Sequence, residues 1–537
     1  MNTLWILGDQ LSLTNSALAG AEQARDVVLM VESKARGKVL PYHQQKLMLI
    51  YAAMRHFAAE LRHQGWQVDY VPLEDGLTFE EAARQHLEKF SPERFILAEP
   101  NSFFETDALT KLGRELGVPV QFVPTSQFLC GREEFQQWAG KGSGQRLLME
   151  NHYRRMRTQT GYLMQDGKPV GNCWNFDPEN RRTFRDWKRS GQATPALPET
   201  QHDAITRDVI VMVAREFPDN PGKAEAFWLP VTRIAAKKWL ARFIDERLPS
   251  FGDFEDIMST DEASLYHSVL SPLLNIGLLS PAECVEAALE AYQHKRAPLN
   301  AVEGFVRQII GWREFINGIY WLRGPEYRQL NGLHADRPLP VWFYTGDVPM
   351  NCLHQVLRQL IDTGWNHHIQ RLMVLGNFML LAGIRPQEAL RWFSEMYVDA
   401  FDWVMAANVI GMICHADGGF MATKPYAASG AYIDKMSDYC AGCRYSPKVK
   451  TGPDACPFNY LYWHFFDQHA ATFANNQRVK MPVNAWLKRS EEDKNEVRQS
   501  AALFLERNVP KGEVQRQPPS AYKVCHMHTG KKNEIGL

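Results

Sequence analysis

Three cysteines, Cys440, Cys443 and Cys456, form a C-x2-C-x12-C run that closes on Pro457, and a fourth, Cys352, follows Pro349-Met350-Asn351. Two sulfurs two residues apart share one tight turn and can bind one metal centre. The third returns after a loop, and a closed shell needs a fourth ligand from elsewhere in the chain. Soft thiolates suit zinc or an iron–sulfur cluster. The Cys-Pro ending echoes ferredoxin cluster motifs, and the spacing leaves both metals open. The other five cysteines, Cys130, Cys173, Cys284, Cys414 and Cys525, are scattered and read as packing or incidental thiols.

The elements that must position these residues follow from length and pattern. The chain has 537 residues, which points to two or more domains. Hydrophobic residues make up 45% and charged residues 23%, as in ordinary globular proteins. No apolar run is long enough to span a membrane. The N-terminus lacks the basic and small-residue flanks of a signal peptide and reads as a strand. An odd number of cysteines without an export signal predicts a reducing, cytoplasmic setting. The formal net charge of -1 excludes a chain that is globally adhesive to nucleic acid, so any DNA contact must use a local basic patch.

In the first 125 residues, apolar runs at 4–7, 27–31, 68–71, 95–98 and 118–123 alternate with helical patterns at 43–63, 79–90 and 106–116. Such alternation predicts a Rossmann-like α/β domain with a parallel sheet, over 1–130. Ligands on such sheets sit beyond the carboxyl ends of the strands, where Gly8-Asp9-Gln10 falls. Residues 131–210 are polar and Arg-rich and read as an interdomain connector draped over the surface, with a flexible Gly140-Lys141-Gly142-Ser143-Gly144 stretch. Helical periods dominate 211–510, which predicts a large all-α domain, and 511–537 reads as a polar tail.

Several motifs together carry a family resemblance. They are Gly8-Asp9-Gln10-Leu11-Ser12, Asn175-Phe176-Asp177, the run from Val302 to Glu314, Asn366-His367-His368-Ile369-Gln370-Arg371, Asp417-Gly418-Gly419-Phe420, Thr423-Lys424-Pro425-Tyr426-Ala427-Ala428-Ser429-Gly430 and the four cysteines. With them the chain resembles the photolyase and cryptochrome superfamily over nearly its whole length, most closely the iron–sulfur bacterial cryptochromes and (6-4) photolyases. The resemblance implies an N-terminal antenna-binding domain, a helical FAD-binding catalytic domain, and a [4Fe-4S] cluster on Cys352, Cys440, Cys443 and Cys456. It implies light-driven repair of (6-4) pyrimidine photoproducts in single- or double-stranded ultraviolet-damaged DNA, by a monomer. The implied antenna is 6,7-dimethyl-8-ribityllumazine, held near Gly8, Asp9, Gln10 and Glu32.

Site residues carry over by motif. Arg371 and Asp402 match a pair that flanks the flavin ring, and Asn408 matches the side chain beside flavin N5. His267, Ser268 and Ser271 match a hydroxyl-rich turn that cradles the flavin diphosphate, as backbone N–H groups and hydroxyls at a helix start can. Gln308 and Trp312, four apart on one helical face, match the lining of the flavin pocket. His368, with His367 before it, matches the histidine that gives a proton to the lesion; imidazole titrates near neutrality and suits that task. Tyr426 and Tyr432 match tyrosines that face a flipped base. Trp392 matches the central member of an aromatic electron relay. Tyr344 stands where the family has Trp and Phe393 where it has Tyr, which leaves Tyr344, Trp342 or Trp403 as terminal donor. Leu372 follows Arg371 where animal and plant (6-4) enzymes carry a second histidine. Lys448 and Lys450, with Arg154, Arg155, Arg157, Arg181 and Arg182, are candidate phosphate contacts.

Two other readings compete with repair. One is a cryptochrome-type blue-light photoreceptor with little repair activity; the other is a metal-containing DNA-binding protein without photochemistry. Retention of His368, Tyr426, Tyr432 and Lys424 favours repair over the first, and flavin absorption bands would eliminate the second.

Overall fold

The computed structural model describes residues 1–141, 147–509 and 511. Five short strands, β1 (Thr3–Trp5), β2 (Val27–Val31), β3 (Gln67–Val71), β4 (Phe95–Ala98) and β5 (Val120–Val123), form one parallel sheet in the order β3-β2-β1-β4-β5. The order reverses at β1, so the crevice for a ligand lies just beyond it, at Gly8-Asp9-Gln10. All five strands stand where the apolar runs place them, within two residues at the ends.

Side chains alternate across the sheet, and the two faces have different neighbours. Trp5, Leu7, Leu29, Val31, Phe95 and Leu97 form a separate core with Ala82, Ala83, Leu109 and Leu112 of the helices Phe79–Phe90 and Phe103–Leu116. Leu4, Ile6, Val28 and Met30 face the helix Gln44–His63, and their core continues without a break into the helical region. The start of that helix is a junction between the two regions. His43 Nε2 pairs with the Ile361 carbonyl at 3.0 Å, Gln45 Nε2 donates to Asp362 at 3.0 Å, and the Lys46 ammonium donates to Ala400 at 2.5 Å.

The connector differs from its expected draped form. It contains the helices Arg132–Lys141, Met149–Thr160, Phe184–Ser190 and Ala204–Glu216, and His152, Tyr153, Met156 and Arg157 are fully buried. Its high polarity hid this, because one apolar stripe suffices to seat a helix. Arg157 is thereby corrected as a phosphate contact: its guanidinium donates to the carbonyls of Trp174 and Leu163 inside the protein. Arg155 is tied to Glu134, Arg154 to Glu150, Arg181 to Asp177 and Arg182 to Asp253. Lys448 and Lys450 are exposed.

Beyond residue 203 the described chain is built of helices joined by loops, with isolated bridges and no strand. Four segments are wound as wider π-helical turns: Phe243–Arg247, Arg307–Arg313, Gln370–Gly376 and Ala407–Ile413. Such turns are rare and concentrate at functional sites. Gly142-Ser143-Gly144 and the tail from 512 onward, including Cys525, lie outside the described residues.

Candidate active site

The four cysteines converge. Cys352 opens the helix Asn351–Thr363, Cys440 and Cys443 share a turn closed by Cys443 N–H to the Cys440 carbonyl at 3.2 Å, and Cys456 precedes the helix Pro457–His469. All four line one cavity with Met350, Ile433, Tyr439, Tyr445 and Phe458. Gly430 forms part of its wall, where an added Cβ would stand 2.7 Å from Cys456 Sγ. Burial, reinforced by the neighbouring sulfurs, lifts the Cys352 thiol well above its ordinary range, Cys440 to about 12 and Cys456 to about 11. Thiolates crowded in an apolar pocket call for a positive centre, so the donor set fits a closed thiolate-bound metal or cluster.

A second group of residues gathers around Arg371, on the π segment Gln370–Gly376. Its guanidinium clamps Asp399 through two bonds of 2.9 Å, donates to the Asn366 carbonyl at 2.8 Å, and lies 4.1 Å above the Tyr397 ring. Ser271 Oγ donates to Asp399 at 2.6 Å, so the hydroxyl-rich turn joins the same cluster. Arg371 does not pair with Asp402 among the described residues. Asp402 accepts from Tyr320 at 2.6 Å and pairs with Arg328 at 3.0 Å. The two carboxylates stand three residues apart on either side of a turn, and only Asp399 faces Arg371. Asn408 lies on the π segment Ala407–Ile413 and donates to the Val404 carbonyl at 2.9 Å. Gln308 and Trp312, both partly buried, lie on the π segment Arg307–Arg313. Ser268 Oγ accepts from Leu270 N–H at 3.4 Å. Sequence reasoning missed Asp399; a carboxylate three residues away was the nearer match to the motif.

Three histidines adjoin this cluster. The rings of His267 and His367 stack 4.4 Å apart with planes 12° apart, and His368 meets His267 edge-on at 5.4 Å. Burial first, then the neighbouring cations and imidazoles, push His267 and His367 well below the usual histidine range, so both are neutral at pH 7. Nε2 of His267 and both ring nitrogens of His367 are buried with no partner among the described residues. Such atoms need a polar ligand or water. The three rings bring ligand-type nitrogens within 4.8 Å of one another. Stacked imidazoles aim their lone pairs along parallel planes, however, so His267 and His367 cannot meet on one metal ion.

His368 is different. Its side chain is 47% exposed, and Asp256 stands 3.7 Å from its Nε2, an ion pair when the ring carries a second proton. The Asp256 charge also raises the Tyr432 phenol, after burial, and Asp177 acts likewise on Tyr426. Asp256 thus faces both His368 and Tyr432, a role the sequence did not reveal. Near it, burial followed by Asp256 lifts Glu255 to about 8.

The aromatic residues form a connected series. Trp392 is fully buried, its centroid 6.0 Å from Tyr397 and 5.1 Å from Phe343, and its indole N–H donates to the Phe343 carbonyl at 3.3 Å. Trp342 stacks on Phe343 at 4.4 Å. Trp403 lies elsewhere, packed against Phe128. Tyr344 is half-buried and donates to Glu395 at 2.8 Å.

In the first domain, Asp9 is buried, accepts from Asn101 at 3.0 Å, and is lifted to about 7 by burial and then by Glu105. Gln10 donates to the carbonyls of Ala98 and Glu99, leaving a buried amide oxygen without a partner among the described residues. Gly8 is small because Ile50 and Met54 lie 2.9 Å from where a Cβ would stand. Both oxygens of Glu32 are engaged within the domain, by Arg55 at 2.8 and 2.9 Å, by Tyr70, and by Leu73 N–H at 2.8 Å.

Residues 4–229 match the family model described as deoxyribodipyrimidine photo-lyase-related protein. A (6-4) photolyase of Agrobacterium fabrum is 44% identical over 504 residues, covering 93% of this chain and 98% of the relative. The fold is that of a bacterial class III photolyase from Agrobacterium tumefaciens (TM-score 0.53, 17% identity, 93% and 98% of the two chains). It is also that of a Synechocystis cryptochrome (TM-score 0.54, 13% identity, 94% and 98%). The extent and level of identity to the Agrobacterium fabrum relative show that the chain belongs to the photolyase and cryptochrome superfamily, in its branch of bacterial (6-4) photolyases.

Proposed function

We propose that this protein is a (6-4) DNA photolyase that repairs ultraviolet-damaged DNA under blue light. The observation that carries the proposed chemistry is the asymmetry within the histidine group: two rings are buried and neutral, and one, His368, is open to a ligand. In this reading His368 gives its proton to the lesion, and Asp256 orients the ring that carries it. Neutral His267 and His367 do not compete for that proton. Tyr426 and Tyr432 pack against the extruded base.

Reduced FAD, when bound, supplies the electron that opens the adduct on excitation and recovers it afterwards. Arg371, locked by Asp399, would flank the flavin ring, with Asn408, Gln308 and Trp312 as further lining. The partnerless nitrogens of His267 and His367 are the buried polar atoms such a ligand would satisfy, with Ser268 and Ser271 nearby. Asp402 acts behind this cluster by holding Tyr320 and Arg328. Cys352, Cys440, Cys443 and Cys456 would hold a [4Fe-4S] cluster, and Lys448 and Lys450 beside it would approach DNA phosphates. Gly8, Asp9 and Gln10 would take a lumazine antenna; Glu32 enters this reading as the buttress of Arg55 and Tyr70. The protein would act as a cytoplasmic monomer. Among the described residues, no helix is long and apolar enough to cross a membrane.

The test is repair of defined oligonucleotides under blue light. The expected result is turnover of the (6-4) lesion, no turnover of the cyclobutane dimer, and loss of about 100-fold or more in His368→Ala with flavin retained. A flavin-loaded protein that repairs neither lesion would overturn this reading in favour of a photoreceptor.

A further inference from the structure

The half-buried phenol of Tyr344 ends a series of redox-capable side chains and does not end it in solvent. It donates to Glu395 Oε2 at 2.8 Å. Glu395 is only 1% exposed, and its other oxygen takes Arg391 Nε at 2.6 Å. Tyr344 and Trp392 are linked through one peptide group. The peptide carbonyl of Phe343, which continues directly into Tyr344, accepts the Trp392 indole N–H, and Glu395 lies three residues after Trp392 on the helix Pro386–Met396. From Trp392 the series continues to Tyr397 and so to the guanidinium of Arg371.

Chemistry distinguishes a phenol from an indole at this position. An oxidised indole can persist as a cation. An oxidised phenol is a very strong acid, so tyrosine yields its electron readily only if its proton leaves in the same event. A peptide carbonyl would satisfy the phenol hydrogen bond equally well but is no base. A carboxylate is one, and Glu395 is in place before oxidation begins.

We propose that Glu395 is the proton acceptor that makes Tyr344 the terminal electron donor of this protein. The proposal rests on the reading of the chain as a flavin photoenzyme, with photoexcited oxidised flavin as the primary oxidant. The Tyr344 O–H bond breaks and its proton moves along the existing hydrogen bond to Glu395 Oε2. One electron passes to the cation radical of Trp392, which returns to neutral indole. The products are a neutral phenoxyl radical and a carboxylic acid, and charge balances because one cation and one carboxylate are both neutralised. The return reaction must carry the proton back, so the separated state outlives one that ends on an indole cation. Trp342 is the competing donor; its N–H is bonded to the Asn508 carbonyl, which cannot take a proton. Tyr42, whose phenol also feels the Glu395 charge, is the second competitor.

The experiment follows the radical itself, by transient absorption and electron paramagnetic resonance of the flavin-loaded protein after a laser flash. The expected result is a tyrosyl signal that replaces the tryptophan cation more slowly in D2O than in H2O and is absent in Tyr344→Phe. Glu395→Gln should slow its formation by about 100-fold, and Glu395→Asp should restore part of the rate. In a Tyr344→Trp background, Glu395→Gln and D2O should both lose their effect. A tyrosyl radical that survives Tyr344→Phe and vanishes in Tyr42→Phe would overturn the assignment, as would full-rate formation in Glu395→Gln. The flavin-free protein, oxidised by azide radicals from pulse radiolysis, should show the same Glu395-dependent transfer from Trp to Tyr344. That arm tests the Tyr344–Glu395 pair even if the flavin reading itself fails.

Discussion

Gln370 and Tyr439 are joined by a hydrogen bond of 3.1 Å from the Gln370 amide to the tyrosine phenol. Tyr439 lines the cysteine cavity and immediately precedes Cys440, while Gln370 Oε1 accepts the backbone N–H of His367 at 3.1 Å. One glutamine therefore ties the cysteine cavity to the backbone of His367, next to the proposed acid His368. Tyr439→Phe should lower stability by about 1 kcal/mol and lower kcat for repair more than it raises KM, with iron content unchanged. Urea unfolding, iron analysis and steady-state repair kinetics check the three parts.

The Arg371–Asp399 clamp predicts a ranking among carboxylate variants. Removing one partner of a buried ion pair leaves the other uncompensated, so Asp399→Ala should cost about 3–5 kcal/mol and release flavin. Asp402→Asn keeps its shape and its Tyr320 contact, and flavin should be retained. Absorbance of the purified variants separates the two outcomes.

Gly430 offers a test of the cysteine pocket that leaves all four cysteines unsubstituted. A Cβ 2.7 Å from Cys456 Sγ would displace that sulfur. Gly430→Ala should therefore lower bound iron, whereas Cys173→Ser, at an exposed thiol, should not. Iron and acid-labile sulfide assays read the difference.

The junction between the two regions predicts an acid limit on stability. His43 is buried, and desolvation holds it down to about 4 against an unfolded value of 6.5. Between those values the unfolded chain binds more protons, so the stability His43 provides is complete above pH 6.5 and lost as pH falls toward 4, by about 3 kcal/mol in all. His152, held down to about 3 by burial, works in the same direction. Urea midpoints for wild type and His43→Gln, measured from pH 4 to 8, should converge toward the acid end.

The parallel sheet was legible because fully buried strands such as Val27–Val31 are unbroken apolar runs between turns. The cysteine site was legible because its spacing is itself a geometric statement. Asp399 was not: Asp399 and Asp402 occupy similar local sequence, and only the backbone turn between them decides which meets Arg371. Asp256 escaped because nothing near it in sequence marks it; its partners His368 and Tyr432 are more than a hundred residues away. The connector helices escaped because their buried stripe is narrow and interrupted by arginines, one of which, Arg157, is itself buried and bonded to carbonyls.

The wide helical turns at Arg307–Arg313, Gln370–Gly376 and Ala407–Ile413 constrain any redesign of this protein. Each accommodates more chain per revolution than a regular helix of 3.6 residues per turn. Excising a single residue from one of them would let the helix tighten to the regular 3.6 residues per turn and re-aim the side chains within that turn. A shortened chain could therefore retain its core and its helix content while aiming Arg371 or Asn408 at the wrong wall.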